Sequence, residues 1–69
     1  MPKKLAVMAN ALANDGTVAS DEIAAAIDYM DMKIKDAEAR GEPLPFVAFR
    51  TRTLLETALK LRRDADLSL

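Results

Sequence analysis

Residues 20–41 read Ser-Asp-Glu-Ile-Ala-Ala-Ala-Ile-Asp-Tyr-Met-Asp-Met-Lys-Ile-Lys-Asp-Ala-Glu-Ala-Arg-Gly, and this stretch decides the fold. Ile23, Ile27, Met30, Ile34 and Ala37 recur at spacings of 4, 3, 4 and 3. That spacing puts them on one face of a helix as a heptad seam, because an α-helix turns once every 3.6 residues. Ser20 is expected to be the N-cap. Asp21 and Glu22 follow it with negative charge at the positive end of the helix dipole. Arg40 and Gly41 close the segment with a cation and a residue tolerant of positive φ. The expected helix is 20–40.

Working outward, Gly41-Glu42-Pro43-Leu44-Pro45 is a break, since proline cannot sit inside a helix. A second long helix is expected over 45–65, with Pro45 in its first turn. Val47, Thr51, Leu54, Ala58, Leu61 and Ala65 continue the 4-3 spacing, and Leu55 and Leu59 widen the stripe. Its apolar face is broad enough to touch two neighbours. Asp66 to Leu69 are expected to fray. Toward the N-terminus, Asn14-Asp15-Gly16 is a turn signal. Before it, Leu5, Met8 and Leu12 mark a short amphipathic helix over about 3–13, with Gly16 as its stop. The expectation is one all-α domain over 1–69, built as a helical hairpin with a short extra N-terminal helix.

The chain has 69 residues, net charge −1, and no cysteine or histidine. A disulfide framework is excluded, as is a zinc site of thiolate or imidazole ligands. Chains this short usually need a disulfide, a metal or another subunit. Oligomerisation is the remaining option, and idealised helical packing is the alternative to it. The expected assembly is a homodimer with a four-helix core and the first helices outside. Its interface would use Ile23, Ile27, Met30 and Ile34 with Leu54, Leu55, Leu59 and Leu61. No stretch approaches the roughly 18 apolar residues of a membrane span, and the N-terminal apolar run is too short for a signal h-region. A cytoplasmic location with no membrane partner is expected.

General acid–base catalysis near neutrality usually uses histidine or a carboxylate of raised pKa. The carboxylates here lie on faces expected to be wet. Ser20 is better read as a cap than a nucleophile. Gly16 and Gly41 are isolated, so there is no phosphate-binding loop. Asp28, Asp31 and Asp36 lack calcium-loop spacing. The reading is a non-enzyme with no catalytic, metal or cofactor residues.

Recognition residues are sought off the seam. Tyr29 and Met32 project from the far face of the second helix, beside Ala25. They are either contact residues or covered by the first helix or by a symmetry mate. Phe46 and Phe49 are either a plug at the hairpin turn with Leu44, or an aromatic knob beside Arg50 and Arg52 of the kind interfaces favour. Arg50, Arg52, Lys60, Arg62 and Arg63 form a loose basic set. They spread around the helix with acids between them, so nucleic acid is a disfavoured partner and pairing with the acidic second helix is preferred. Asp31 with Lys33, and Glu38 with Arg40, flank the seam and could orient a partner.

The hairpin of Ser20–Gly41 and Pro45–Ala65, the small size and the absence of catalytic side chains resemble small phage-encoded helical host-takeover proteins. Among these the layout is similar to the quorum-sensing anti-activators of Pseudomonas phages. The resemblance implies a helical dimer inside a bacterial host that inhibits a host protein. A LuxR-type transcription activator or a pilus-assembly ATPase are the targets it suggests. It carries over no individual residue. The alternative is a nucleic-acid-binding hairpin dimer of the plasmid copy-control type. A first test addresses the seam: Ile27→Asp buries an unpaired charge and should abolish the folded assembly, whereas an intact assembly in sedimentation would contradict it.

Overall fold

The computed structural model describes residues 3–67. It is all-α, with α1 at Lys3–Ala13, α2 at Ser20–Ala39 and α3 at Phe46–Leu67, and no strand among the described residues. The three boundaries fall within two residues of the spans expected from periodicity and punctuation. α3 continues through Leu67, where fraying was expected from Asp66 on. Residues 68 and 69 lie outside the described residues.

The hairpin forms as its spacing dictates. On α2, Ile23 and Ile34 are buried and Ile27, Met30 and Ala37 are half-buried. This is the apolar face of an amphipathic helix laid against α3. Gly41 adopts φ +67°. Its N–H donates to the Glu38 carbonyl at 3.1 Å, and the Glu42 N–H donates to the Ala37 carbonyl at 3.0 Å. These are the two bonds of a Schellman motif. The chain is thereby turned toward Pro45, whose carbonyl accepts the Phe49 N–H as α3 begins. α2 and α3 run antiparallel. The ion pair from Arg52 Nε to Asp31 Oδ1, at 2.7 Å, joins their middles.

α1 packs against α3 and not against α2. Its Leu5 shares a groove with Val47, Thr51 and Leu54 near the start of α3, while Leu12 and Ala13 lie at Arg62 near the end. α1 is therefore parallel to α3, and α3 is the central helix. Fully buried Ala9 and Ala58 let these backbones approach closely. The broad face of α3 is covered on one side by α2 and on the other by α1, where the sequence suggested a second copy. Ile23 is only 1% exposed and Ile34 only 6%, so neither has surface left for another chain. Of the seam expected at a dimer interface, Ile23 and Ile34 are thus taken up inside one chain. Ile27, Met30, Leu54, Leu55, Leu59 and Leu61 are half-buried in the same packing.

A single guanidinium ties the three helices together. Arg62 Nε donates to the Ala13 carbonyl at 3.2 Å. Nη2 donates to the carbonyls of Leu12 and Asp15, each at 3.0 Å. Nη1 donates to Ser20 Oγ at 3.1 Å. The last carbonyls of a helix lack intrahelical donors, and here an arginine from another helix supplies them. Its charge also suits the negative end of the α1 dipole. Two expectations change. Gly16 is not in the left-handed region and does not cap α1. Ser20 is the first helical residue, and its hydroxyl serves Arg62. The N-cap is Ala19, whose N–H donates to Glu22 Oε1 at 3.2 Å.

The α1–α2 loop is closed by Asp15. Its Oδ1 accepts the Thr17 hydroxyl at 2.6 Å and the Thr17 N–H at 2.9 Å. The hydroxyl bond and then the amide bond hold the Asp15 carboxyl below its ordinary value of 3.8, against an opposing effect of burial and with the smallest contribution, also lowering, from Arg62.

Two outcomes follow from these contacts. Arg62→Met should lower unfolding free energy by about 2–4 kcal/mol, since hydrogen bonds to a charged group contribute roughly 1.5–3 kcal/mol each, while the Leu12 and Asp15 carbonyls keep the N–H groups of Asp15 and Val18. Arg62→Lys should recover only part, because an ammonium cannot bridge the same fork of acceptors. Urea titration measures both, and a loss below about 0.5 kcal/mol for Arg62→Met would contradict the clamp. For Asp15, a lowered folded pKa means its contribution is complete above 3.8 and is lost as pH falls below that value through the folded pKa. Thr17→Ala should therefore flatten the dependence of stability on pH in the acid range below about 4. An unchanged acid slope would contradict it.

Candidate functional site

The residues singled out for recognition separate into three places. Phe49 and Arg52 belong to the hairpin. Phe49 is half-buried, and Arg52 Nε lies 2.7 Å from Asp31 and 2.9 Å from Glu56. Arg52 is thus committed within the chain, as the pairing of a basic third helix with an acidic second one requires. Asp31, read as a possible orienting charge for a partner, is used here too.

Tyr29 and Met32 form the second place. They are 52% and 68% exposed on the outer face of α2. The reading in which the first helix covers them is overturned, because α1 lies across α3. Lys33 Nζ sits over the Tyr29 ring, 5.4 Å from its centroid, within the range of a cation–π contact. Tyr29, Met32, Lys33, Lys35 and Asp36 border one shallow depression.

The third place is the start of α3. Phe46 is 74% exposed and Leu44 also stands in solvent, so neither is a plug at the turn. Arg50, one turn after Phe46 on the same side of the helix, is exposed and makes no ion pair among the described residues. Val47, expected in the seam, is 78% exposed. The reason lies in the layout. α1 and α2 flank α3 without meeting, and the gap between them stays open over Val47, while Arg62 fills it at the other end. Met8, expected on the inner stripe of α1, is also exposed beside this gap. Leu5, Met8, Val47, Arg50, Thr51 and Leu54 line one groove. Val47 and Thr51 continue into a second groove bounded by Tyr29, Met30 and Pro45.

The result is an exposed surface toward the hairpin-turn end of the molecule, with Val47 and Met8 in one groove beside Arg50 and exposed Phe46 one turn before Arg50 on α3. Such surfaces can bury apolar area against a partner, and a flanking arginine can supply a directional charge. Val47 and Met8 were missed as surface residues because their spacing is that of a buried stripe. Only the placement of α1 shows otherwise.

Other charges are dispersed. Arg62 is engaged with backbone carbonyls. Lys60 and Arg63 border a groove that also holds Asp28 and Glu56. Arg40 pairs with Asp36 at 3.3 Å and with Glu42 at 3.7 Å. Among the described residues no cluster of three or more acidic, histidine or cysteine side chains is placed to hold a metal ion. No described helix is long and apolar enough to cross a membrane. Comparison of the chain with known protein families, with curated proteins and with solved structures finds no match.

Proposed function

We propose that this chain is a non-catalytic protein-binding module that acts by occupying the surface of another protein. The observation that carries the reading is the gathering of exposed Phe46, Val47 and Met8 beside unpaired Arg50, on a scaffold whose remaining large apolar residues are mostly half-buried or buried. Exposed apolar groups in one patch, rimmed by charge, are typical of interaction sites. Aromatic and arginine side chains carry much of the energy at such sites. The more specific reading is an inhibitor of a host protein in a bacterial cytoplasm, directed at a transcription activator or a pilus ATPase. It rests on the resemblance in size and layout to small phage proteins.

The nucleic-acid reading has less support. Of the five basic residues it would use, Arg62 and Arg52 are engaged within the chain, and Lys60 and Arg63 share their groove with two acids. Binding driven by phosphate contacts would fall steeply with salt.

The test is affinity capture from nuclease-treated bacterial lysate with wild type, Phe46→Ala combined with Arg50→Glu, and Lys60→Glu combined with Arg63→Glu. Wild type and the Lys60/Arg63 variant should retain the same protein. The Phe46/Arg50 variant should lose it at least about tenfold, the loss expected when hot-spot residues are removed. Equal retention by all three, or loss of the captured species after nuclease, would overturn the reading.

A further inference from the structure

The inner seam of α2 has a counterpart on its outer face. Ala25, Tyr29, Met32, Asp36 and Ala39 recur at spacings of 4, 3, 4 and 3, the same heptad rhythm displaced by two residues. All five are exposed. A helix bearing two opposed heptad stripes is suited to packing on both sides. α3 takes the inner stripe, and α1 does not reach α2, so the outer stripe is left exposed, with Tyr29 and Asp36 also bordering the groove at the start of α3.

The charges beside the outer stripe are ordered along the helix. Glu22 and Asp28 lie in its first half, and Lys35 and Arg40 in its second. Glu22 and Arg40 are separated by eighteen residues, about five turns, and so share one flank. Asp28 and Lys35 are separated by seven, about two turns, and share the other flank. The midpoint of the first pair is Asp31, and that of the second falls between Asp31 and Met32. When two copies of a helix pack antiparallel about a twofold axis at that midpoint, each flank meets the same flank of its mate with the order reversed. Glu22 then faces Arg40 of the second copy, and Asp28 faces Lys35. Met32 meets Met32 near the axis, with Tyr29 beside it. A parallel arrangement would instead bring the first halves of the two helices together, so that Glu22 and Asp28 meet the acidic half of the mate. Asp36 lies opposite the first half of the mate's stripe, toward Ala25, and stays with its own Arg40. Asp28 and Lys35 have no ion-pair partner among the described residues of their own chain.

Surface area points the same way. The single chain exposes 5207 Å², whereas a compact monomer of 7.5 kDa exposes about 4250 Å² by the usual size scaling. The excess is close to the ~800 Å² that each partner loses in a standard-sized interface. The radius of gyration, 13.3 Å, also exceeds the ~11 Å of a compact chain of this length.

We infer that the chain forms an isologous dimer through the outer face of α2, with the two α2 helices antiparallel and Tyr29 and Met32 at the centre. This is a different surface from the internal Ile23–Ile34 seam. Phe46 and Arg50 line no groove with Tyr29 or Met32, so the inference stands apart from the proposed partner-binding role, although Val47 shares a groove with Tyr29. In a twofold interface every pair occurs twice, which doubles the effect of each charge reversal.

The test is sedimentation equilibrium at 1–100 µM, at low salt, on wild type, Asp28→Lys, Lys35→Asp, the double reversal Asp28→Lys/Lys35→Asp, and Met32→Asp. Circular dichroism verifies that each exposed-site variant keeps its helices. Wild type should be a dimer. Each single reversal should weaken the dimer about tenfold or more, and the double reversal should restore it. Met32→Asp should be monomeric and helical. A wild-type monomer throughout the range would overturn the inference. So would a dimer indifferent to Met32→Asp, or a double reversal no tighter than the singles. A monomer whose Met32→Asp variant loses a protein captured from lysate would reassign this face to a different partner.

Discussion

The Arg62 guanidinium holds together what the hydrophobic core of this protein is too small to hold alone. Its acceptors are the last carbonyls of α1, the turn carbonyl of Asp15 and the first hydroxyl of α2. Among the described residues the fully buried side chains are few, and the largest is Ile23. With so little apolar burial, an eleven-residue helix such as α1 would be marginal in isolation. It is ordered by packing Leu5 and Ala9 on α3 and by having its open end satisfied by a residue of the same helix it packs against. One side chain thus closes α1 and fixes where α2 departs.

That closure decides which surfaces are left. Because α1 runs parallel to α3 and never reaches α2, the outer face of α2 stays bare. The gap between α1 and α2 is filled at the Arg62 end and open at the Val47 end. The apolar patch at the hairpin turn and the outer stripe of α2 are both consequences of the position of α1. Two opposite uses of the 4-3 rhythm meet in α2: one stripe is consumed in folding and the other is presented outward. Ion pairs such as Arg52 with Asp31 set the alignment of the hairpin while contributing little net energy at this exposure.

What was legible in the sequence was local. The 4-3 spacing of Ile23 to Ala37 reports a buried face because neighbouring turns of one helix are close in sequence. Gly41 could be read as a positive-φ stop because a Schellman turn needs only the residues just before it. The division between an acidic second helix and a basic third one anticipated Arg52 with Asp31. What was not legible depends on contacts far apart in the chain. Arg62 reaches acceptors 42 to 50 residues away, and nothing in its local sequence marks it off from Arg63. Val47 has the spacing of a core residue and lies in solvent because the path of α1, set by its packing on α3, leaves it there. Leu54 and Leu61 were expected at an interface between copies, and the half-burial they have within one chain depends on where α1 packs on α3. The recognition residues were named as a group, and the fold divides them: Tyr29 and Met32 on one surface, Phe46 and Arg50 on another, Phe49 and Arg52 in the hairpin.

The central claim is that α1 is fixed on α3, parallel to it, as part of one cooperative unit. Hydrogen–deuterium exchange of the wild-type chain at neutral pH measures this directly. The account predicts that the Ala9–Ala13 amides of α1 exchange at least about 100-fold more slowly than an unstructured chain, with protection approaching that of α2 and α3, as expected for residues that open only with the whole fold. Near-random exchange across α1 beside a protected α2–α3 hairpin would contradict it, and would remove the basis for the open surfaces described above.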